Sequence, residues 1–334
     1  VSVDREGPAT EVTVEVAGER RPALSYSDMS GPIAVGDDVV VNVAAVDLQL
    51  GSGGFDIVHA NLTRGLDGEG EPGAHVMKLN YTSLQHAVSP IEEKAESGKQ
   101  KAESSPVPNI GGKSVAVIAL HAQLPCVAWA ASQLRPEARV GYVQSAGGAL
   151  PGSLSRVVRE LLERGLLAGH VTAAPAFGGE HEAISVAGGL HAGFTALGWD
   201  AAIAGPGPGI LGSATALGHG GLAALDNAHA AFALGARTVV VPRMSSGDPR
   251  ERHLGLSHHT ATVLALMLRP ALVALPPGIQ PDLGEHEARQ GAADLDGYRD
   301  SGLPARTMGR SIDEDELFFR ASLAGGSVLA GTIQ

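Results

Sequence analysis

The sequence predicts an α/β protein: a doubly wound parallel sheet of about six strands, preceded by a small β-rich domain of barrel or sandwich type. Three observations lead there. From Ser114 onward, short apolar runs alternate with stretches of helical length, the grammar of βαβ crossovers. Before Asn80, β-branched runs are bounded by Gly-Asp and Gly-Ser-Gly-Gly turns. Between the two parts lies a charged, Ser/Pro-rich segment that is poor in large apolar residues.

Taken in order, Glu11–Val16 (EVTVEV) and Val39–Val46 (VVVNVAAV) read as strands, with Phe55–Leu62 and Ala74–Leu79 as shorter additions. These form an N-terminal domain over 1–88, a scaffold or oligomer contact in which His59 and His75 are ordinary. Residues 89–109 read as a flexible linker or surface loop, because the segment offers too little apolar surface to offset its ordering entropy. Residues 110–334 form the α/β domain. Its six strands are SVAVIAL (114–120), ARVGYVQ (138–144), HVTAAPA (170–176), DAAIAG (200–205), RTVVV (237–241) and PALVAL (270–275). Between them, SLSRVVRELLERG (153–165) carries a clear 3.6-residue period, and IDEDELFFRASLA (312–324) predicts a closing helix.

Composition bounds the function. The 334 residues include 44% hydrophobic, 18% charged and 45 Gly, enough apolar content for a sizeable core. A net charge of −12 argues against coating nucleic acid or an anionic membrane. The single Cys126 excludes an intramolecular disulfide and every multi-cysteine metal site, and its apolar neighbours suggest a buried structural thiol. Asp4, Arg5 and Glu6 stand where a signal peptide would be apolar, and Ala183–Trp199 is short for a membrane span. A cytoplasmic location is therefore expected. The small-residue helix over 183–198 favours a homodimer.

In a doubly wound sheet, ligands sit beyond the carboxyl ends of the strands. The first five strands here are followed by polar, Gly-rich text: His121-Ala122-Gln123; Ser145-Ala146-Gly147-Gly148; Phe177 to Glu182, with Gly178 and Gly179; Gly205 to Ser213; and Pro242 to His253. The fourth of these loops matches G-x-G-x-x-G at Gly207, Gly209 and Gly212, followed by Ser213, although no acidic residue ends the next strand. An anion-binding or tight-turn loop fits it better than a dinucleotide fingerprint. In the fifth loop, Arg243, Arg250 and Arg252 cluster with Ser245, Ser246, Asp248 and His253. Ser257 then predicts an N-cap that places His258 and His259 in a first helical turn. There the helix dipole favours neutral rings, and adjacent positions about 100° apart need only one ring facing the site. A solvated cap with an Arg–Asp network is the structural alternative. His170, His191 and His229 read as ordinary, and no G-x-S-x-G elbow is present.

The strings GGEHEAISVAGGL (178–190), GPGPGILGSATALGHGG (205–221) and PRMSSGDPRERHLGLSHHT (242–260) resemble a bacterial family defined by domain of unknown function 3866. The likeness extends over essentially the whole chain, with 89–109 an elaboration. The resemblance implies no activity.

The residues themselves suggest a hydrolase or group transferase acting on a small phosphate- or carboxylate-bearing metabolite. Gly207, Gly209, Gly212 and Ser213 would cradle the anion, and Arg243 and Arg250 would neutralise it. Ser145, Gly178, Gly179, Ser245 and Ser246 would complete one common cleft, with His258 or His253 as acid/base oriented by Asp248. Two other readings stand beside it. One is a divalent metal on His181, His253 and His259; the other is a non-catalytic nucleotide or metabolite sensor.

Overall fold

The computed structural model describes residues 1–5, 9–65, 72–96 and 108–334. The chain divides into two units, Val1–Ser89 and Pro90–Gln334. In the first, strands β1 (Ser2–Arg5), β2 (Ala9–Val16), β3 (Glu19–Tyr26), β4 (Val39–Asn42) and β5 (Asp56–Asn61) make an open sheet in the order β1-β2-β3-β5-β4. One-turn helices α1 (Ser27–Ser30) and α2 (Ala44–Asp47) and a hairpin of β6 (Val76–Lys78) with β7 (His86–Val88) complete the unit. Alternate residues Val12 and Val14 bury with Ala23 and Val58, as a sheet with one covered face requires. The strand expected over 39–46 stops at Asn42, whose side-chain oxygen accepts the Ala44 N–H and turns the chain into α2.

The second unit opens differently from the linker expected over 89–109. Helix α3 (Ile91–Glu96) forms there, because one large apolar side chain, Ile91 at 1% exposure, suffices to anchor it. Residues 97–107 of the expected linker lie outside the described residues. After α3, the elements are β8 (Ser114–Ile118), α4 (Leu124–Leu134), β9 (Val140–Ser145), α5 (Arg156–Glu163), β10 (His170–Ala173), β11 (His181–Ala183) and α6 (Val186–Thr195). Next come β12 (Ala201–Pro206), α7 (Ala223–Ala233), β13 (Arg237–Val241), the short pair β14 (Met244–Ser245) and β15 (Gly255–Leu256), and α8 (His258–Leu266). The unit ends with β16 (Leu272–Leu275), β17 (Glu287–Gln290), α9 (Leu295–Asp300), a hairpin of β18 (Arg306–Thr307) and β19 (Arg310–Ser311), and α10 (Glu316–Thr332).

All six expected strands are present, and the edge strands β11 and β17 extend them to eight, in the order β11-β10-β9-β12-β8-β13-β16-β17. Every pairing in this sheet is parallel. Both faces are covered, which explains the unbroken apolar runs. Ala116 and Ile118 face α4, α5 and α10, while Val115 and Val117 face α3, α6 and α7. The expected closing helix was placed too early. It starts at Glu316 and continues through Gly325 and Gly326, where a Cβ would come within 2.7 Å of Val241 and 2.3 Å of the Val127 carbonyl. Among the described residues, no helix is long and apolar enough to cross a membrane.

The chain walks outward from β9 to β11, returns to insert β12 between β9 and β8, and then builds outward on the other side. The turning point therefore lies at β12, β8 and β13, and the loops leaving their carboxyl ends meet there.

Candidate functional site

The edge of the sheet beyond these carboxyl ends has two halves. On the β9–β10–β11 side, the loops are tied to one another. Gln144 donates to the Ala149 and Leu150 carbonyls and accepts from His170 Nε2 at 3.2 Å. Glu182 accepts from the Gly178 N–H at 2.6 Å and from Thr172 Oγ1 at 2.8 Å. Gly179 donates to Thr172 Oγ1, and Ser145 Oγ accepts from Asn227 at 2.9 Å. Gly178, Gly179 and Ser145 thus hold the scaffold. Four strand spacings separate β10 from β13, roughly 19 Å, so Gly178 and Gly179 do not share a cleft with Arg243; Ser145, at the end of β9, is three spacings away. The single common cleft is corrected on that ground. His181 lies on the edge strand β11, about 24 Å by the same spacing, and does not join a metal set with His253 and His259.

The Gly-rich loop after β12 does two things. Gly207 and Gly148 are locked against each other: a Cβ on Gly148 would sit 2.2 Å from the Gly207 carbonyl. Beyond that lock, Gly207, Gly209 and Ile210 line a cavity of about 390 Å³ together with His121, Arg306 and Met308. Most of the remaining wall is apolar, from Leu120, Val157 and Pro304. Gly212 and Ser213 lie farther out and exposed, with Ser213 bonded to Thr215 and Gly218, and do not line this cavity. His121 is fixed by Ser155 Oγ at 2.7 Å from Nε2 and by the Pro206 carbonyl at 3.2 Å from Nδ1. Burial pushes its pKa down to about 4.

The arginines after β13 are already paired. Arg243, 2% exposed, donates to Asp248 at 3.2 Å. Arg250 forks onto both Asp248 oxygens at 2.9 and 2.8 Å, and Arg310 reaches Asp248 at 3.3 Å and Asp315 at 2.9 Å. Hydrogen bonds from Arg250, ahead of opposing burial, hold the Asp248 carboxyl well below the usual range. Burial lowers Arg243 to about 10, still fully charged at neutral pH. Ser245 Oγ donates to Asp315, and the Ser246 N–H bonds to the same carboxylate at 2.8 Å. Ser245, Ser246 and Asp248 therefore build the loop; Asp248 orients guanidiniums and not an imidazole.

Four imidazoles gather beside this network. Ser257 caps α8 as expected, accepting from the His259 N–H. Both His258 and His259 turn into the cluster, with ring centroids 4.4 Å apart, although helix geometry needs only one of them to face it. His253 joins at 4.8 Å from each, and His219, from the end of the Gly-rich loop, stacks on His259 at 3.7 Å. His253, His258 and His259 bring ligand-capable atoms within 4.8 Å of one another. The partners of these rings are specific. Arg243 Nη1 donates to His259 Nδ1 at 3.0 Å, and Ser257 Oγ lies 2.8 Å from His253 Nδ1. Nε2 of His253 and of His258 is buried with no hydrogen-bond partner. His219 makes no hydrogen bond of good geometry, although the Ala216 carbonyl acts on its ring. Burial, reinforced by neighbouring positive groups, lowers all four pKa values, to about 4 for His253 and about 2 for His259.

Cluster and cavity adjoin through two shared walls. Gly220, next to His219, packs on Ile210, and Met308 Sδ accepts from Arg243 at 3.4 Å. Arg306, Met308, Arg310 and Asp315 lie outside the expected site, with Asp315 inside the stretch expected as the closing helix. The one available signal was the basic spacing of Arg306 and Arg310 in an acidic chain. The chain belongs to the family described as protein of unknown function DUF3866, whose model matches residues 22–326. Comparison with curated proteins and with solved structures returned no match.

Proposed function

For this family member, we propose an enzyme, a hydrolase or group transferase, acting on a small metabolite with an apolar body and one anionic group. The adjacency of the 390 Å³ cavity and the imidazole cluster carries this reading. The size suits a small metabolite, and the apolar wall suits a hydrocarbon or ring portion. Arg306 supplies the anion contact: among the described residues it makes no salt bridge, donating to the Gly309 carbonyl and acting on Glu314 only through its field. Three guanidiniums on Asp248 and Asp315 add one uncompensated positive charge nearby. Arg243 and Arg250 thus act through the local field instead of by direct contact. The neutral imidazoles behind the shared walls of Ile210 and Met308 supply the reacting groups.

The test uses p-nitrophenyl acetate and p-nitrophenyl phosphate for turnover, with benzoate and inorganic phosphate as thermal-shift ligands. Benzoate is expected to raise the melting temperature more than phosphate, because it fills the apolar wall. His258→Gln is expected to lower turnover at least about 100-fold while leaving the benzoate shift intact. A shift without turnover of either ester in the wild type would favour a binding-only sensor and overturn the enzymatic reading.

A further inference from the structure

We propose that the imidazole cluster is a binding site for a divalent transition metal, with His253, His258 and His219 as ligands and His259 as the residue that positions them. The inference deepens the enzymatic reading by naming what the imidazoles hold, yet metal binding is measurable without any turnover.

The ligand atoms follow from the hydrogen bonds. Ser257 Oγ, 2.8 Å from His253 Nδ1, can take the Nδ1–H, which leaves the Nε2 lone pair of His253 facing the cluster. This is the arrangement metal-ligating histidines favour, one nitrogen on the ion and the other donating to an outer group. His258 Nε2 is likewise buried and unpartnered. His259 differs. A guanidinium has no acceptor, so the contact from Arg243 requires a lone pair on His259 Nδ1 and, in the neutral ring, a proton on Nε2. That proton keeps His259 from ligating while Arg243 holds it. Its stacked neighbour His219, 9° from coplanar and 5.8 Å from His258 between ring centroids, is the imidazole left to replace it; His219 lies outside the set whose ligand atoms are within 4.8 Å of one another, so its ring turns toward His253 on binding. Imidazoles sharing an ion bound at about 2.0–2.1 Å place their centroids at roughly 5 Å, and the 4.8 Å between His253 and His258 fits.

Chemistry selects the ion class. Neutral nitrogen donors suit zinc, cobalt and nickel, whereas magnesium and calcium need oxygen ligands. The nearest carboxylate of the loop, Asp248, is committed to three arginines. Burying ring nitrogens of three histidines without partners costs free energy that a structural role does not recover. A three-imidazole site also leaves a coordination position for water or substrate, as catalytic zinc sites do.

Chelator-treated full-length protein is titrated with ZnCl2, CoCl2 and MgCl2 by calorimetry, and the cobalt form is read by its visible ligand-field bands. One zinc or cobalt per chain is expected, with bands of nitrogen-rich coordination and no magnesium binding. His253→Ala, His258→Ala and His219→Ala are each expected to weaken zinc binding at least about 100-fold, and His259→Gln less than about 10-fold. The wild-type cobalt spectrum needs no variant, so a variant that misfolds leaves the proposal testable. Absence of stoichiometric zinc or cobalt, or affinity unchanged in His253→Ala and His258→Ala, overturns the site. Loss in His259→Gln with retention in His219→Ala overturns the ligand assignment. Esterase activity without metal would leave the enzymatic reading standing with the imidazoles as proton carriers. Metal without activity would do the reverse.

Discussion

The two halves of the sheet's carboxyl edge use the same residue types to opposite ends. Around β9, β10 and β11, His170, Gln144, Thr172 and Glu182 all find partners in neighbouring loops. Around β12, β13 and α8, nitrogens of His219, His253 and His258 are buried without a hydrogen bond of good geometry. They make up four of the eight such side-chain atoms among the described residues. Folding alone favours pairing every buried polar atom. The first half leaves Glu92 Oε2 and Asn227 Oδ1 without a partner, and the second gathers four such nitrogens in one cluster, which is where the proposed metal would bind.

The largest expected effect comes from the group that keeps the second half assembled. Asp248→Ala leaves Arg243 buried without its carboxylate and sets Arg310 and Arg250 against it. Breaking a buried pair from one side costs about 3–5 kcal/mol, which urea unfolding would register as a lower midpoint. A loss below about 1 kcal/mol would mean that solvent reaches Arg243, and that the two halves differ less than their hydrogen bonds suggest.

A middle-sized effect separates the halves by pH. Burial lowers His170 to about 3, so between its unfolded pKa near 6.5 and that value the unfolded chain holds a proton that the folded chain does not. The sign follows from this difference. The stabilisation is complete above about pH 6.5 and is lost as pH falls toward 3, with a slope of up to about 1.4 kcal/mol per pH unit. His170→Gln, which can keep a bond to Gln144, should flatten the wild-type stability curve by about that slope between pH 6 and 4. An unchanged slope would show that His170 is not buried neutral, and that the paired half is looser than the structure has it.

How much of this was readable from the residues depends on how local each signal is. Buried parallel strands announce themselves as β-branched runs, and all six such runs are strands. The edge strands β11 (HEA) and β17 (EARQ) carry no such run, because pairing with a neighbour and not burial recruits them; β17 is exposed throughout. The Gly-Gly pair in α10 reads locally as a helix end, and only the nearness of Val241 and Val127 shows why glycine continues the helix. The Arg/His text after β13 was legible as a concentrated cluster by composition. Which arginines are spent was not, since Arg310 meets Asp248 from sixty-two positions away. Nor does a sequence say which imidazole nitrogen lacks a partner.

The smallest expected effect tests the charge count in the second half. Arg243, Arg250 and Arg310 face Asp248 and Asp315, so one guanidinium is in excess. Arg250 is the natural candidate for that excess, because its side chain is 45% exposed against 2% for Arg243 and 17% for Arg310. Removing it balances the charges and relieves repulsion on Arg243, while the lost bonds to Asp248 are partly replaced by water. Arg250→Ala should therefore change the urea midpoint by less than the equivalent of about 1 kcal/mol, the range of exposed ion pairs. Phosphate and benzoate thermal shifts should fall only slightly, since Arg250 contributes field and not contact. A loss of several kcal/mol would mean that the fork from Arg250 is what orients Asp248 toward Arg243. Complete loss of the benzoate shift would instead place Arg250 on the anion, in the direct role its sequence position first suggests.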